Sequence, residues 1–283
     1  MKLAVDSGST KTDWGFFSNV YDLKDIKTQG INPCHQSADE INSIIRDELI
    51  PEMTGIDPRS VTDLFYYGAG CATESICSQM KGTLKEFFPK ASIAVDSDML
   101  GAARALCGHS EGVACVLGTG SNSCLYNGQA IVDQVPSLGY ILGDEGSSAA
   151  IGRRLISDCL KRQLPESISR EFMERYSLTK DTIIENVYRK PLPNRYIASF
   201  APFVYEKRAN PGVHKMLIEC FSEFFTRNVI NYHKPWLPVH FVGSLATSFA
   251  EELKETADSL GMTIGKIMTS PMVGLVEYHS NQD

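Results

Sequence analysis

The segment Asp6-Ser7-Gly8-Ser9-Thr10-Lys11-Thr12-Asp13 carries residue types suited to holding a phosphate. The small residues Ser7, Gly8 and Ser9 let backbone N–H groups come close to an anion. Thr10 can add a hydroxyl donor and Lys11 a positive charge. Asp6 ends an apolar run and is placed to hold Mg2+ through water, since that ion keeps part of its hydration shell. The plainer reading is a hairpin turn. A P-loop is ruled out on spacing: GxxxxGK[ST] is absent, and Thr12 to Ser18 reads as a strand where a P-loop would enter a helix.

Four further strings share this character. Leu117-Gly118-Thr119-Gly120-Ser121 lies between two apolar runs. It is not GxGxxG, because Ser123 stands at the third glycine, so a dinucleotide fold is not expected. Asp96-Ser97-Asp98 sits between a strand and a helix. A carboxylate there could take a proton from an attacking hydroxyl, or the group could simply cap the helix. In Gly139-Tyr140-Ile141-Leu142-Gly143-Asp144-Glu145-Gly146-Ser147, Asp144 or Glu145 could bind hydroxyls, or could cap the helix that follows. Val242-Gly243-Ser244-Leu245-Ala246 could bring backbone against a nucleoside, or be an ordinary strand-to-helix loop.

The elements that must carry these strings follow from periodicity. Strands are expected at Lys2–Val5, Thr12–Ser18, Leu64–Tyr67 and Ile93–Val95. Further strands are expected at Val113–Leu117, Ser123–Tyr126, Ile131–Val135, Val239–Val242 and Thr263–Ile267, with a turn at Asn127-Gly128. Helices are expected from Ser37, where Glu40 completes a capping-box pattern ahead of Ile41, Ile44, Ile45 and Leu49. Others are expected at Ser75–Phe88, Met99–Leu106, Leu245–Ser259 and Met272–His279, with a mostly helical stretch from Ser147 to about Lys234. Each half therefore opens strand, glycine-containing turn, strand. That repetition points to α/β architecture with mixed sheets and a duplicated domain, with Gly108 to Gly112 as the hinge.

Composition narrows the class. The chain has 283 residues, 43% hydrophobic and 22% charged, with a formal net charge of -7. It can bury a full core, and its acidity disfavours nucleic acid as a partner. The opening MKLAVDSGST has no apolar signal core, and no run reaches the length of a membrane span, so a cytoplasmic protein is expected. The eight cysteines include no CxxC pair and the six histidines no HxxxH pair, so reduced thiols are expected in place of a disulfide framework or a metal site.

Taken in order, the five strings resemble the BadF/BadG/BcrA/BcrD-type ATPases of the actin/hexokinase/Hsp70 superfamily, and within them the N-acetylglucosamine kinases. The string Gly143 to Ser147 is the most specific of them. The resemblance covers essentially the whole chain. It implies α/β, duplicated ribonuclease H-like (actin-like ATPase) domains, with mixed sheets flanked by helices and an active-site cleft between them. The domains would be 1–108, 109–270 with the helical region, and a C-terminal helix at 271–283 packing back on the first. It implies a kinase that uses ATP and Mg2+ to phosphorylate the 6-hydroxyl of N-acetylglucosamine or a related amino sugar.

The resemblance further implies Asp98, over Asp96, as catalytic base, since Asp98-Met99-Leu100-Gly101-Ala102 matches the family pattern. Gly8, Ser9, Thr10, Lys11, Gly118, Thr119, Gly120, Ser121, Gly243 and Ser244 would contact ATP, and Asp6 the metal. Asn32, Ser137, Leu138, Gly139 and Asp144 would contact the sugar. Leu138 stands where animal members have Trp, which bears on the sugar accepted. The glycine that the family places near the nucleotide falls at Asn210 or Gly212. Alternatives are an activase ATPase serving a dehydratase, a sugar-sensing module, or a kinase for glucosamine, N-acetylmuramate or another hexose. A homodimer is the expected assembly.

Overall fold

The computed structural model describes residues 1–8 and 10–280. The chain divides into two compact units: Met1–Ser110 with Asn127–Ile131 and the segment from Ser270 onward, and Glu111–Tyr126 with Val132–Thr269.

The first unit holds a five-stranded sheet of β1 (Lys2–Ser7), β2 (Lys11–Phe17), β3 (Leu23–Gln29), β4 (Asp63–Gly68) and β5 (Ser92–Ser97), in the order β3-β2-β1-β4-β5. β1, β2 and β3 form an antiparallel meander, and β4 and β5 run parallel to β1. The register aligns Ser7 with Gly68, and Gly68 with Ser97, so the three parallel strands end level. β3 is not among the strands expected from periodicity. Its residues Leu-Lys-Asp-Ile-Lys-Thr-Gln turn only Ile26 and Thr28 fully inward. Such a charged edge strand gives little hydrophobic signal and resists pairing with other chains.

Three longer elements pack on this sheet. The helix after Ser37 has the expected capping box and buries Ile41 and Ile44 in α1 (Ala38–Ile44). A π-turn over Ile45–Leu49 then keeps both Ile45 and Leu49 inside before the short α2 (Ile50–Glu52). α3 (Glu74–Phe87) starts on Thr73 and buries Met80 and Leu84. α4 (Asp98–Cys107) starts on Ser97, whose hydroxyl accepts the Leu100 amide; such a cap contributes about 1 kcal/mol. Its small residues Gly101, Ala102, Ala103 and Ala105 are all buried, and they let the helix lie close on the sheet.

The second sheet has the order β10-β9-β6-β7-β8. Its strands are β6 (Glu111–Leu117), β7 (Ser121–Asn127), β8 (Ile131–Asp133), β9 (Val239–Val242) and β10 (Ile264–Met268). Chain order within the sheet repeats that of the first, and β6, β9 and β10 are the parallel strands, with Val116 level with Val242 and Val242 with Met268. After the short α5 (Gly139–Leu142), the helical stretch resolves into α6 (Ser148–Leu160), α7 (Glu166–Arg175), α8 (Lys180–Tyr188), α9 (Pro193–Ala198), α10 (Ala201–Lys207) and α11 (Pro211–Arg227). Phe172, Phe203, Phe221, Phe224 and Phe225 lie fully buried at its core.

The single helix expected at Leu245–Ser259 is two, α12 (Ser244–Ser248) and α13 (Ala250–Ser259). Phe249 breaks it with non-helical dihedrals and is buried edge-on to Tyr205. No helix among the described residues is long and apolar enough to cross a membrane.

The chain closes with α14 (Met272–Ser280), which returns to the first unit. Met272, Leu275 and Val276 form a buried cluster with Ala4, Phe17, Tyr67 and Ala105. Gly274 makes the approach to α4 possible: a Cβ there would stand 2.8 Å from the Ala105 Cα. Gly274→Ala is therefore expected to lower stability by about 1–3 kcal/mol through overpacking. Denaturant unfolding checks this; an unchanged midpoint would show that α14 moves aside at no cost.

Candidate active site

In the first unit the polar groups gather where β1, β4 and β5 end. The turn between β1 and β2 closes with the Gly8 amide on the Lys11 carbonyl, 2.9 Å. Below it a buried knot ties three segments together. Ser7 Oγ lies 2.8 Å from Thr12 Oγ1 and donates to the Ile31 carbonyl at 2.9 Å, while the Ile31 amide donates to Thr12 Oγ1 at 3.2 Å. The Gly30 amide bonds the Thr10 carbonyl, and the Ala69 amide bonds the Ser7 carbonyl. The knot fixes the turn against the loop carrying Asn32. Asn32 is buried; its amide donates to Gln36 Oε1 at 2.7 Å, and its Oδ1 accepts the Cys34 amide at 3.0 Å. The Cys34 side chain itself is exposed.

Antiparallel register sets Asp6 directly opposite Asp13. Burial pushes the Asp6 carboxyl up to about 7, and the charges of Asp13 and Asp98 add to the rise. Asp13 is buried; its Oδ2 meets Lys11 Nζ at 2.6 Å, and its Oδ1 has no hydrogen-bond partner. Asp6 is among the site residues expected from sequence; Asp13 is not. The signal was present, because a hairpin with Asp at both ends of DSGSTKTD pairs the two across the strands.

Asp98 is the first residue of α4 and is open to solvent. Its Oδ1 accepts the Met99 amide at 2.9 Å, and desolvation by the surrounding protein atoms holds its carboxyl above the ordinary range. Asp96 is engaged elsewhere, 3.4 Å from Arg104, and the helix cap is Ser97. Of the two carboxylates, Asp98 is thus the one left available. Gly8, Thr10 and Lys11 lie on the turn above Asp6, while Ser9 lies outside the described residues.

The second unit shows a matching arrangement where β6 and β9 end. The turn Gly118–Ser121 follows β6, with the Gly118 amide on the Gly120 carbonyl at 2.9 Å. Its carbonyls are held by the start of α6: the Ser148 amide donates to Gly118 and the Ala149 amide to Thr119. Gly243, at φ +131°, lies against the Leu117 backbone, where any side chain would collide with the carbonyl. This brings the exposed Ser244 beside the turn.

Asp144, at φ +56°, places Oδ1 3.0 Å from the Ser121 amide. Its own amide reaches the Ser137 carbonyl at 3.3 Å, which joins the 137–139 segment to the same cluster. Leu138 is 62% exposed and also has positive φ. Neither acidic residue of this string caps α6: Ser147 does, accepting the Ala150 amide. Glu145 pairs with Arg227 at 2.9 Å. Among the ten ATP contacts expected, Gly118, Thr119, Gly120, Ser121, Gly243 and Ser244 therefore share this one edge.

Among the described residues, no three His, Cys, Asp or Glu side chains form a metal-binding group, and no cysteine forms a disulfide. Asp6 and Asp13 nevertheless suit a hydrated cation. One buried carboxylate oxygen lacks a partner, and the Asp13 charge adds to the cost of ionising Asp6, which a divalent ion would relieve. The Asp6 shift gives a prediction. A folded-state value near 7 against an ordinary 3.8 means that the folded chain binds this proton more tightly. The group's contribution to stability is full below the ordinary value and is lost as pH rises through the folded one. Asp6→Asn is thus expected to melt above the parent at about pH 8 without divalent cation, the gap narrowing towards about pH 5. A gap independent of pH would rule out a raised Asp6.

No family model matches the chain, and no curated protein matches it. Solved structures do. A candidate N-acetylglucosamine kinase from Porphyromonas gingivalis is 46% identical, with a TM-score of 0.94, over 100% of this chain and 99% of its own. A second candidate N-acetylglucosamine kinase, from Chromobacterium violaceum, is 16% identical with a TM-score of 0.71, over 98% of this chain and 99% of its own. A ROK-family glucokinase from Streptomyces griseus, in complex with glucose and AMPPNP, is 12% identical with a TM-score of 0.59, over 98% and 97%. The last two share the fold alone. The 46% identity to the first over the full length of both chains, on two sheets of the same plan, makes the chain a member of the N-acetylglucosamine kinase-like family.

Proposed function

We propose that the chain is an ATP-dependent sugar kinase that transfers the γ-phosphate to the 6-hydroxyl of N-acetylglucosamine or a related amino sugar. One observation carries this reading: in a chain 46% identical end to end to a candidate N-acetylglucosamine kinase, Asp98 stands exposed at the start of α4 while its neighbour Asp96 is engaged by Arg104. A carboxylate poised in this way accepts the proton of a hydroxyl as it attacks phosphorus.

The remaining roles follow the same reading. Backbone amides and side chains of Gly8, Ser9, Thr10 and Lys11 receive phosphate oxygens, as do those of Gly118, Thr119, Gly120 and Ser121. Preorganised donors of this kind stabilise charge that develops during transfer. Gly243 and Ser244 take the nucleoside end. Asn32 and Asp144 bind sugar hydroxyls, and Ser137, Leu138 and Gly139 border the ring. Leu138 offers an aliphatic face without the stacking an indole would give, which admits related amino sugars.

Mg2+ would be held by Asp6, with Asp13 behind it, through water, and would neutralise phosphate charge. ATP supply places the enzyme in the cytoplasm. Asp98→Asn is expected to keep AMPPNP binding by calorimetry and to lose turnover by about 10²–10⁴-fold in a coupled ADP-release assay. The assay is run over N-acetylglucosamine, glucosamine, N-acetylmuramate and glucose. Undiminished turnover in the variant would remove Asp98 from the mechanism, and no ADP release with any of these sugars would remove the kinase assignment for amino sugars.

A further inference from the structure

Asp144 occupies an unusual position for a sugar ligand. Its Oδ1 accepts the Ser121 amide at 3.0 Å, and that amide belongs to the turn that would receive phosphate. Both carboxylate oxygens sit in the hollow left by the missing side chain of Gly120, each 2.9 Å from where a Cβ would stand. An anion approaching the turn's backbone at Gly120 would meet a carboxylate already there. The amides of Thr119 and Gly120 make no hydrogen bond among the described residues, so the turn keeps unspent donors next to the one that Asp144 has taken. The backbone at Asp144 is strained: its φ of +56° is uncommon for a residue with a side chain. Gly143 precedes it, and Gly146, at φ +69°, follows two residues on. Burial also raises the Asp144 carboxyl, so the charge there is held at a cost.

We propose that Asp144 is a positioning residue that holds the phosphate turn in a blocked state until the sugar is bound. With no sugar present, its carboxylate stands in for a phosphate oxygen on Ser121 N–H. A nucleotide arriving alone meets one donor taken and a like charge within a few ångströms of it. Sugar hydroxyls give the carboxylate new donors, it leaves the turn, and Ser121 N–H is released to the nucleotide. Sugar and nucleotide therefore bind with positive coupling, and by reciprocity each strengthens the other equally. The effect on catalysis is to keep ATP weakly engaged, and water an ineffective acceptor, until the proper acceptor is in place.

The inference rests on the kinase reading for the identity of the ligand that releases Asp144, but its central claim is measured without sugar. Calorimetry with AMPPNP and Mg2+ is run on the parent, Asp144→Asn and Asp144→Ser, with thermal melts to confirm folding. Removing the blocking charge is expected to tighten AMPPNP binding in the absence of sugar, by a factor within the roughly 5–150-fold span of allosteric couplings. In the parent, saturating N-acetylglucosamine is expected to produce a gain of similar size, and in the variants none. If Asp144 only braces the turn, the variants bind AMPPNP alone more weakly or equally, and the proposal fails. If no amino sugar changes the parent while the variants still bind AMPPNP more tightly, the block stands and the kinase reading is what fails. If one variant does not fold, the other together with the sugar effect on the parent decides.

Discussion

Everything functional in this molecule depends on parallel strands that end level. Hydrogen bonding between β1, β4 and β5 puts Ser7, Gly68 and Ser97 in one row, and the residues just beyond that row are free of the ladder. β6, β9 and β10 do the same for Val116, Val242 and Met268. A slip of one residue in the first sheet would turn every side chain of the slipped strand to the other face and carry Asp6 away from Asp98. The ligand-facing chemistry of open α/β sheets gathers at such carboxyl ends because backbone groups there are unpaired and helices begin. Asp98 as the first residue of α4, and the Gly118–Ser121 turn against the start of α6, are two instances of that rule.

The row of strand ends also concentrates negative charge. Asp6 and Asp13 face one another, and Asp98 is near enough to add to the cost of ionising Asp6. A fold selected only for stability would place neutral side chains here. The strain persists because the surrounding knot of Ser7, Thr12 and Ile31 over-determines the backbone. Lys11 offsets part of it from the surface. The same logic holds for Asp144, kept in the left-handed region by the Ser137 and Ser121 contacts on either side of it.

Much of this was legible in the residues themselves. Alternating and continuous apolar runs gave most of the strands, and the Ser37–Glu40 box gave the start of α1, because these are local patterns with local causes. β3 was not legible: an edge strand with one exposed face and three charged residues has almost no apolar period to detect. The break at Phe249 was also hidden, since it depends on Tyr205, distant in sequence, offering a ring to pack against. Within the site, glycine and aspartate spacing marked both turns. What spacing could not show was pairing of other kinds: that Ser97 and not Asp96 caps α4, that Ser147 caps α6, and that Asp144 rests on Ser121. Each is a contact decided by register or by backbone closure.

The distribution of sulfur has a practical side. Cys34 is the one exposed cysteine; Cys77 is partly sheltered and the other six are buried. It follows Asn32 by two residues, and its amide is bound to that side chain. A maleimide fluorophore would accordingly find one preferred attachment point on the native chain, without any cysteine having to be engineered in or out. The label would sit on the rim of the loop that holds Asn32, where a change in emission reports movement of that loop directly.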